Sequence, residues 1–258
     1  MQTLGSIKRP LLRILGYGES GSGKSRFGAS MTSVFGANKT LVENFDPEHN
    51  LLPYITAGLS EIDFNQFKGV AEEYDVLLTE ILRLKRLAAK PDEFPYNLII
   101  IENGAGMHSV VMRNVLKLTN RADVDGARIQ DWGISAERLK ERIKDFFGLP
   151  CHLYVTFHSQ VEKDEAQGKI LGRILVPGRL LPDEIPPMFN MFLHFKTRAV
   201  QNGVEYKIYT ASDNLFPAGD KTGALDYVEE TDFKKLWDKI DKKLSMTIKE
   251  TRDAKDSL

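Results

Sequence analysis

The sequence predicts an α/β fold: a mostly parallel central sheet flanked by helices, with an antiparallel extension near the end of the chain. Three observations predict it. Apolar segments of strand length alternate with amphipathic segments of helical period, the pattern of a sheet covered on both faces. The run 97–101, Asn-Leu-Ile-Ile-Ile, is the most apolar in the chain, and its branched residues suit a central strand buried on both sides. Two further strand-like segments, 191–196 and 204–210, meet near Asn202-Gly203, a hairpin-type turn.

Taken in order, 11–16 is a short apolar run ending in glycine and reads as a strand; 24–35 reads as a helix. The segment 40–45 is a second strand, ending at Asp46-Pro47. Val76, Leu77, Ile81, Leu84 and Leu87 recur at helical spacing within 71–89, and the prolines of 91–95 end that helix. After the strand 97–101, an amphipathic helix over 134–147 buries Leu139, Ile143 and Phe146; Pro150 ends it and 152–157 follows as a strand. The stretch from Gln160 to Pro187 reads as long and irregular, 232–244 as a final amphipathic helix, and 251–258 as a frayed polar tail. The expected organisation is one core over 1–230, with a C-terminal helix and tail over 231–258.

Bulk properties narrow the class. The chain has 258 residues, 42% hydrophobic and 28% charged, enough for one large buried core. Its net charge of −1 excludes a bulk basic field, so any nucleic acid must be held by local basic segments or by a symmetric assembly. The single cysteine, Cys151, excludes an internal disulfide and reads as a packed core thiol. No apolar run suggests a leader or a membrane span, and a cytoplasmic location is expected.

The strongest motif is Gly18-Glu19-Ser20-Gly21-Ser22-Gly23-Lys24-Ser25, between the first strand and the first helix. It matches G-x-x-x-x-G-K-[ST] in the required context. Its glycines let the backbone curl so that N–H groups converge on phosphate oxygens, and the helix that follows adds the positive end of its dipole. Lys24 is expected to reach the β- and γ-phosphates and Ser25 to offer its hydroxyl to Mg²⁺, with Arg26 directly after the loop. The expected ligands are ATP and Mg²⁺. Such sites place an acid at the end of a neighbouring apolar strand. Here 97–101 ends in Glu102-Asn103, so Glu102 stands where Asp is usual, either on the metal side or as a cap for the following turn.

The segment Asp46-Pro47-Glu48-His49-Asn50-Leu51-Leu52-Pro53-Tyr54 resembles the acidic segment after the second core strand of bacterial RecA. The order of parts also agrees, and over roughly 11–227 the chain resembles small RecA-like P-loop ATPases of bacteriophages, associated with single-strand annealing and homologous recombination. Gln130-Asp131-Trp132-Gly133, the strand ending at His158, Arg179-Leu180-Leu181-Pro182 and Asp220-Lys221-Thr222-Gly223 suit that group. Only the phosphate loop is specific by itself; the other matches gain weight from their order.

The resemblance implies roles. Glu72 falls where a general base would activate the attacking water, with Glu73 and Glu48 as further candidates; Glu72 and Glu73 read equally as acids of a solvated first helical turn. His158, Ser159 or Gln160 would sense the γ-phosphate, and Lys221 resembles a cation reaching a neighbouring subunit's phosphates. Two basic segments are candidates for single-stranded DNA. One holds Lys163, Lys169, Arg173 and Arg179 among glycines, offset by Glu162, Asp164, Glu165, Asp183 and Glu184. The other holds Arg113, Lys117, Arg121 and Arg128, where 110–118 reads equally as a helix with a basic face. Trp132 either stacks on a base or packs. The expectation is an ATPase that self-associates into a ring or filament on single-stranded DNA. The rivals are a nucleotide kinase, with 173–179 as its lid, and a non-hydrolysing ATP-dependent assembly factor.

Overall fold

The computed structural model describes residues 10–46, 51–121, 126–164, 168–177, 180–201 and 203–256. The chain runs β1 (Arg13–Gly18), α1 (Lys24–Phe35), β2 (Thr40–Asn44), α2 (Leu52–Thr56), β3 (Asp63–Gln66), α3 (Glu73–Leu87), β4 (Leu98–Glu102), α4 (Gly104–Leu118), α5 (Ile129–Phe147) and β5 (His152–Asp164). It continues with β6 (Lys169–Ile174), α6 (Leu181–Glu184), β7 (Met191–Val200), β8 (Gly203–Tyr209), β9 (Gly219–Asp220), β10 (Val228–Glu230) and α7 (Phe233–Asp256). Among the described residues the strands form one sheet in the order β10-β8-β7-β1-β5-β4-β2-β3, with β6 added to β5 and β9 to β7. The six strands from β7 to β3 are parallel; β8, β10, β9 and β6 join antiparallel. The expected mostly parallel α/β architecture, with its antiparallel extension, is the one observed.

Alternation along the strands sorts the core into two layers. Ile99 and Ile101 of β4, with Leu153 and Val155 of β5, face one side and meet Leu77 and Ile81 of α3, Val110 and Val111 of α4, and Leu139 and Ile143 of α5. Leu98 and Ile100, with Tyr154, face the other side and meet Phe27, Met31 and Phe35 of α1. Phe233, Leu236 and Ile240 of α7 pack into this second layer. A run apolar at every position is what burial on both faces demands. Cys151 is buried and unpaired, the packed thiol expected. Among the described residues no helix is long and apolar enough to cross a membrane.

Several elements differ from expectation. The stretch after Gln160 is no irregular loop. β5 continues to Asp164 and returns as β6, with Ser159 opposite Ile174 and Lys163 opposite Ile170. Its alternation is hard to read because Val161 and Ile170 are exposed there beside charged residues. α4 is a full helix, begun by Asn103, whose side chain accepts from the Gly106 amide at 2.8 Å. α5 starts at Ile129, before the expected 134, because the Asp131 carboxylate reaches back and accepts from the Arg128 amide at 2.7 Å, satisfying an N–H at the helix start. α7 extends to Asp256, through most of the stretch expected to fray, on a sequence rich in helix-forming Lys and free of Gly and Pro. β3 had no readable signal: Asp-Phe-Asn-Gln is a polar edge strand that takes its register from β2.

A phosphate-loop cleft

The candidate site lies at the C-terminal ends of the parallel strands, where ligands collect in open α/β sheets. β1 ends at Gly18, in register with His158 of β5 and Phe195 of β7. The chain then turns through 19–23 into α1. Gly23 stands at the helix N-cap with φ of 98°, a backbone angle open to glycine. The twelve-residue helix has no side-chain cap and no acid in its first turn. Its leading amides therefore point into the cleft without an internal acceptor, the arrangement that binds an anion.

The cleft measures about 380 Å³ and is walled by Ser20–Arg26 of the loop, by Asp46, Leu52 and Pro53, by Glu102, Asn103, Thr156 and His158 at the strand ends, and by Tyr206 of β8. Lys24 is 7% exposed, and its Nζ donates to the carbonyl oxygens of Gly18 at 2.9 Å and Glu19 at 2.8 Å. Burial pushes the Lys24 ammonium down to about 8, opposed by the nearby Glu102, Asp46 and Glu19. An ammonium so desolvated gains strongly from an incoming polyanion. Glu102 is 4% exposed at the floor. One carboxylate oxygen accepts from the Tyr54 hydroxyl at 2.9 Å and the other from the Thr156 hydroxyl at 2.8 Å. Burial raises its carboxyl above the usual range, and those two hydrogen bonds oppose the rise. The turn after β4 is capped by Asn103, so the Glu102 side chain is left for the cleft.

Asp46 faces Glu102 across the floor, and one of its carboxylate oxygens accepts from Asn103 Nδ2 at 2.6 Å. His158 is half-buried; burial and then the Lys24 charge lower it from its ordinary value, and Asp46 opposes them. At the outer rim the Arg26 guanidinium lies 5.2 Å from the Tyr206 ring centroid, a cation–π contact.

The structure thus brings Ser20 through Arg26, Glu102 and His158 together, with Gly18 and Glu19 holding Lys24. It does not bring the expected bases. Glu72 is exposed and accepts from Lys117 Nζ at 2.8 Å, away from the phosphate loop. Glu73 accepts the amides of Lys68, Gly69 and Val70, holding the turn before α3. Both readings rested on position in the sequence, and the turn before α3 directs the two acids elsewhere. Glu48 lies outside the described residues. Ser159 and Gln160 enter the β5–β6 hairpin and do not line the cleft. Lys221 donates to the Pro187 carbonyl at 3.1 Å beside Met191, at the end of the sheet opposite Gly18.

The basic residues divide as well. Arg121 is 14% exposed and forms a two-pronged pair with Asp131, 3% exposed, which ties the end of α4 to the start of α5. It is a structural cation and no free DNA contact. Arg173 pairs with Glu162 at 3.5 Å and Asp183 at 3.4 Å. Lys163 is exposed on the hairpin. The Lys169 side chain and Arg179 fall outside the described part. Arg113 and Lys117 line a groove with His108 and Trp132, whose rings lie at 15° with centroids 6.1 Å apart.

Reading the sequence missed Asp46 as a site residue, and with it Asn103, Tyr54, Thr156 and Tyr206. An acid just past the strand beside β4 was a usable signal for Asp46. Tyr206 carried none, since only the β7–β8 pairing swings it over α1.

An anion-binding helix start, a buried lysine and a carboxylate at the end of an adjacent apolar strand define a P-loop nucleotide-binding domain. A profile of the AAA domain family matches residues 11–222, most of the chain, and the chain belongs to that family as an AAA-type P-loop ATPase domain. No curated protein matches it. Among solved structures it is similar to a prototypical ATPase from the type III secretion system of pathogenic bacteria, at 13% identity and TM-score 0.46, over 72% of this chain and 51% of that one. It is similar also to a KaiC-like protein from the hyperthermophilic archaeon Pyrococcus horikoshii, at 10% identity and TM-score 0.40, over 77% of each chain. For the RadB recombinase the values are 11% identity and TM-score 0.41, over 77% of this chain and 79% of that one. The chain spans about half the length of the secretion ATPase.

Proposed function

We propose that the protein is an ATPase that binds ATP with Mg²⁺, hydrolyses it, and acts on single-stranded DNA in annealing or strand exchange. The observation that carries the ATP reading is the uncapped start of α1 with Lys24 buried beside it, opposite Glu102. The cleft offers hard oxygen donors in Ser25 and Glu102, which suit Mg²⁺. Among the described residues no group of three or more His, Cys, Asp or Glu side chains could hold a metal ion, so a Mg²⁺ here would depend on phosphate oxygens. When bound, the ion neutralises phosphate charge.

Lys24 then supports the β- and γ-phosphates, and the loop amides orient them. Asp46, oriented by Asn103, replaces Glu72 as the candidate for aligning the attacking water. His158, which lines the cleft, would read the γ-phosphate. Arg26 and Tyr206 flank the outer rim, where the nucleoside end would lie.

Support for single-stranded DNA comes from the sequence resemblance and from the groove of Arg113, Lys117 and Trp132, which joins cations to an aromatic face. By the same resemblance the protein is phage-encoded, works in the bacterial cytoplasm and self-associates, with Lys221 serving the next subunit. The test is phosphate release with single-stranded DNA, double-stranded DNA or a nucleoside monophosphate added. Stimulation by single strands above the other two is expected. Phosphoryl transfer to the monophosphate would establish the kinase rival, and nucleotide-dependent assembly without phosphate release the assembly factor.

A further inference from the structure

Tyr54 ends the acidic segment quoted above but was given no role in the site, and it is the one residue of the short helix α2 that is buried. Its hydroxyl passes α1 at Gly28, where a Cβ would lie only 2.7 Å from the Tyr54 oxygen, so a glycine is needed for the approach. The hydroxyl then donates to Glu102 at 2.9 Å. Thr156 donates to the other carboxylate oxygen from β5, so each Glu102 oxygen has one fixed partner of its own. On the same helix, Leu52 and Pro53 line the cleft. α2 therefore connects the cleft wall directly to the acid at its floor.

We infer that Tyr54 is a positioning residue for Glu102: with Thr156 it fixes the plane of the carboxylate, so that the remaining lone pairs meet the metal side of a bound Mg²⁺–nucleotide in one orientation. The inference rests on the ATP reading above and adds a residue to it. The physical reason is general: a carboxylate held only by its own χ angles samples several orientations, while one gripped at both oxygens has its ordering cost met by the fold. Outer-layer hydrogen bonds of this kind typically change metal affinity by about tenfold to a hundredfold when removed.

The test is binding of a fluorescent ATP analogue to the full chain, once in EDTA and once in excess Mg²⁺. The ratio of the two Kd values measures how much the metal tightens nucleotide binding. Tyr54→Phe is expected to leave the EDTA value within about twofold of wild type and to cut the Mg²⁺ tightening about tenfold. Glu102→Gln is expected to cut it at least as much, and the double variant no further, since both act through one group. Thr156→Val, which removes the other hydroxyl without loss of bulk, provides the same test should Tyr54→Phe fail to fold. Full Mg²⁺ tightening in these hydroxyl variants would overturn the inference. So would an equal loss in EDTA and Mg²⁺, which would mark Tyr54 as packing alone. Wild-type protein that binds the analogue in neither condition would overturn the ATP reading itself, a separate and distinguishable failure.

Discussion

The phosphate-loop cleft and the α4–α5 groove both hold charged residues, but they hold them differently. In the cleft Lys24 is turned onto the carbonyls of its own loop, and Glu102 is gripped by two hydroxyls. Both are buried and both line the open space. In the groove Lys117 is paired with Glu72 across exposed surface, and at the margin Arg121 is locked to Asp131 between two helices. The difference teaches that a cation's role follows from what already satisfies it. A buried lysine held by neutral carbonyls gains much from a phosphate, whereas an arginine bonded at two prongs to a carboxylate would have to give up that pair.

Four variants would break or sharpen the contrast. The largest effect is expected for Lys24→Ala, which removes a desolvated cation: ATP binding, read by fluorescence titration, falls about tenfold to a hundredfold with little change in Tm. Unchanged affinity would erase the distinction between the two regions. In the groove, Trp132→Ala is expected to weaken single-stranded DNA binding about tenfold through lost stacking. Arg113→Ala is expected to weaken it by less, and to lower the slope of log affinity against log salt by about one; both are read by anisotropy with a labelled oligonucleotide. Arg121→Ala should do the reverse, lowering Tm by several degrees while the folded fraction binds DNA as before. A selective loss of DNA binding in that variant would return Arg121 to the list of DNA contacts.

The smallest effect concerns a buried acid that lines neither region. Glu43 of β2 is fully buried and accepts from Asn65 Nδ2 at 3.2 Å. Burial, and then the nearby Glu80, push its carboxyl up to about 8, while Asn65 and Arg83 oppose the rise. Between its ordinary value of 4.5 and about 8 the folded chain keeps a proton that the unfolded chain has released. Folding therefore binds a proton in this window, and this group's contribution to stability is lost as pH rises through about 8. Glu43→Gln is expected to make the fall in Tm between pH 5 and pH 8 shallower. An identical fall in both proteins would show that Glu43 does not titrate there.

Much of the fold and the centre of the site were legible because their causes are local. The apolar run before Glu102 declares a doubly covered strand, and the glycines around Lys24 declare a loop whose amides face inward. Other features had no local cause. β3 is polar and exists because β2 offers an edge. The outer part of the β5–β6 hairpin looked irregular because Val161, Glu162, Lys163 and Ile170 are all exposed there, so no core face patterns them. Glu72 and Asp46 are both acids near predicted element boundaries, and nothing in their neighbours' identities tells which one faces the phosphate loop.

By itself, then, the chain's order of residues determined the α/β class, the phosphate loop and the acid that closes the strand run, since backbone freedom and burial act on contiguous residues. Only the tertiary structure decided that Asp46, Tyr54, Thr156 and Tyr206 join that loop, and that Arg121 and Glu72 do not. These placements depend on strand register and on which helix covers which face, and such contacts form between residues far apart in the chain, where no local pattern records them.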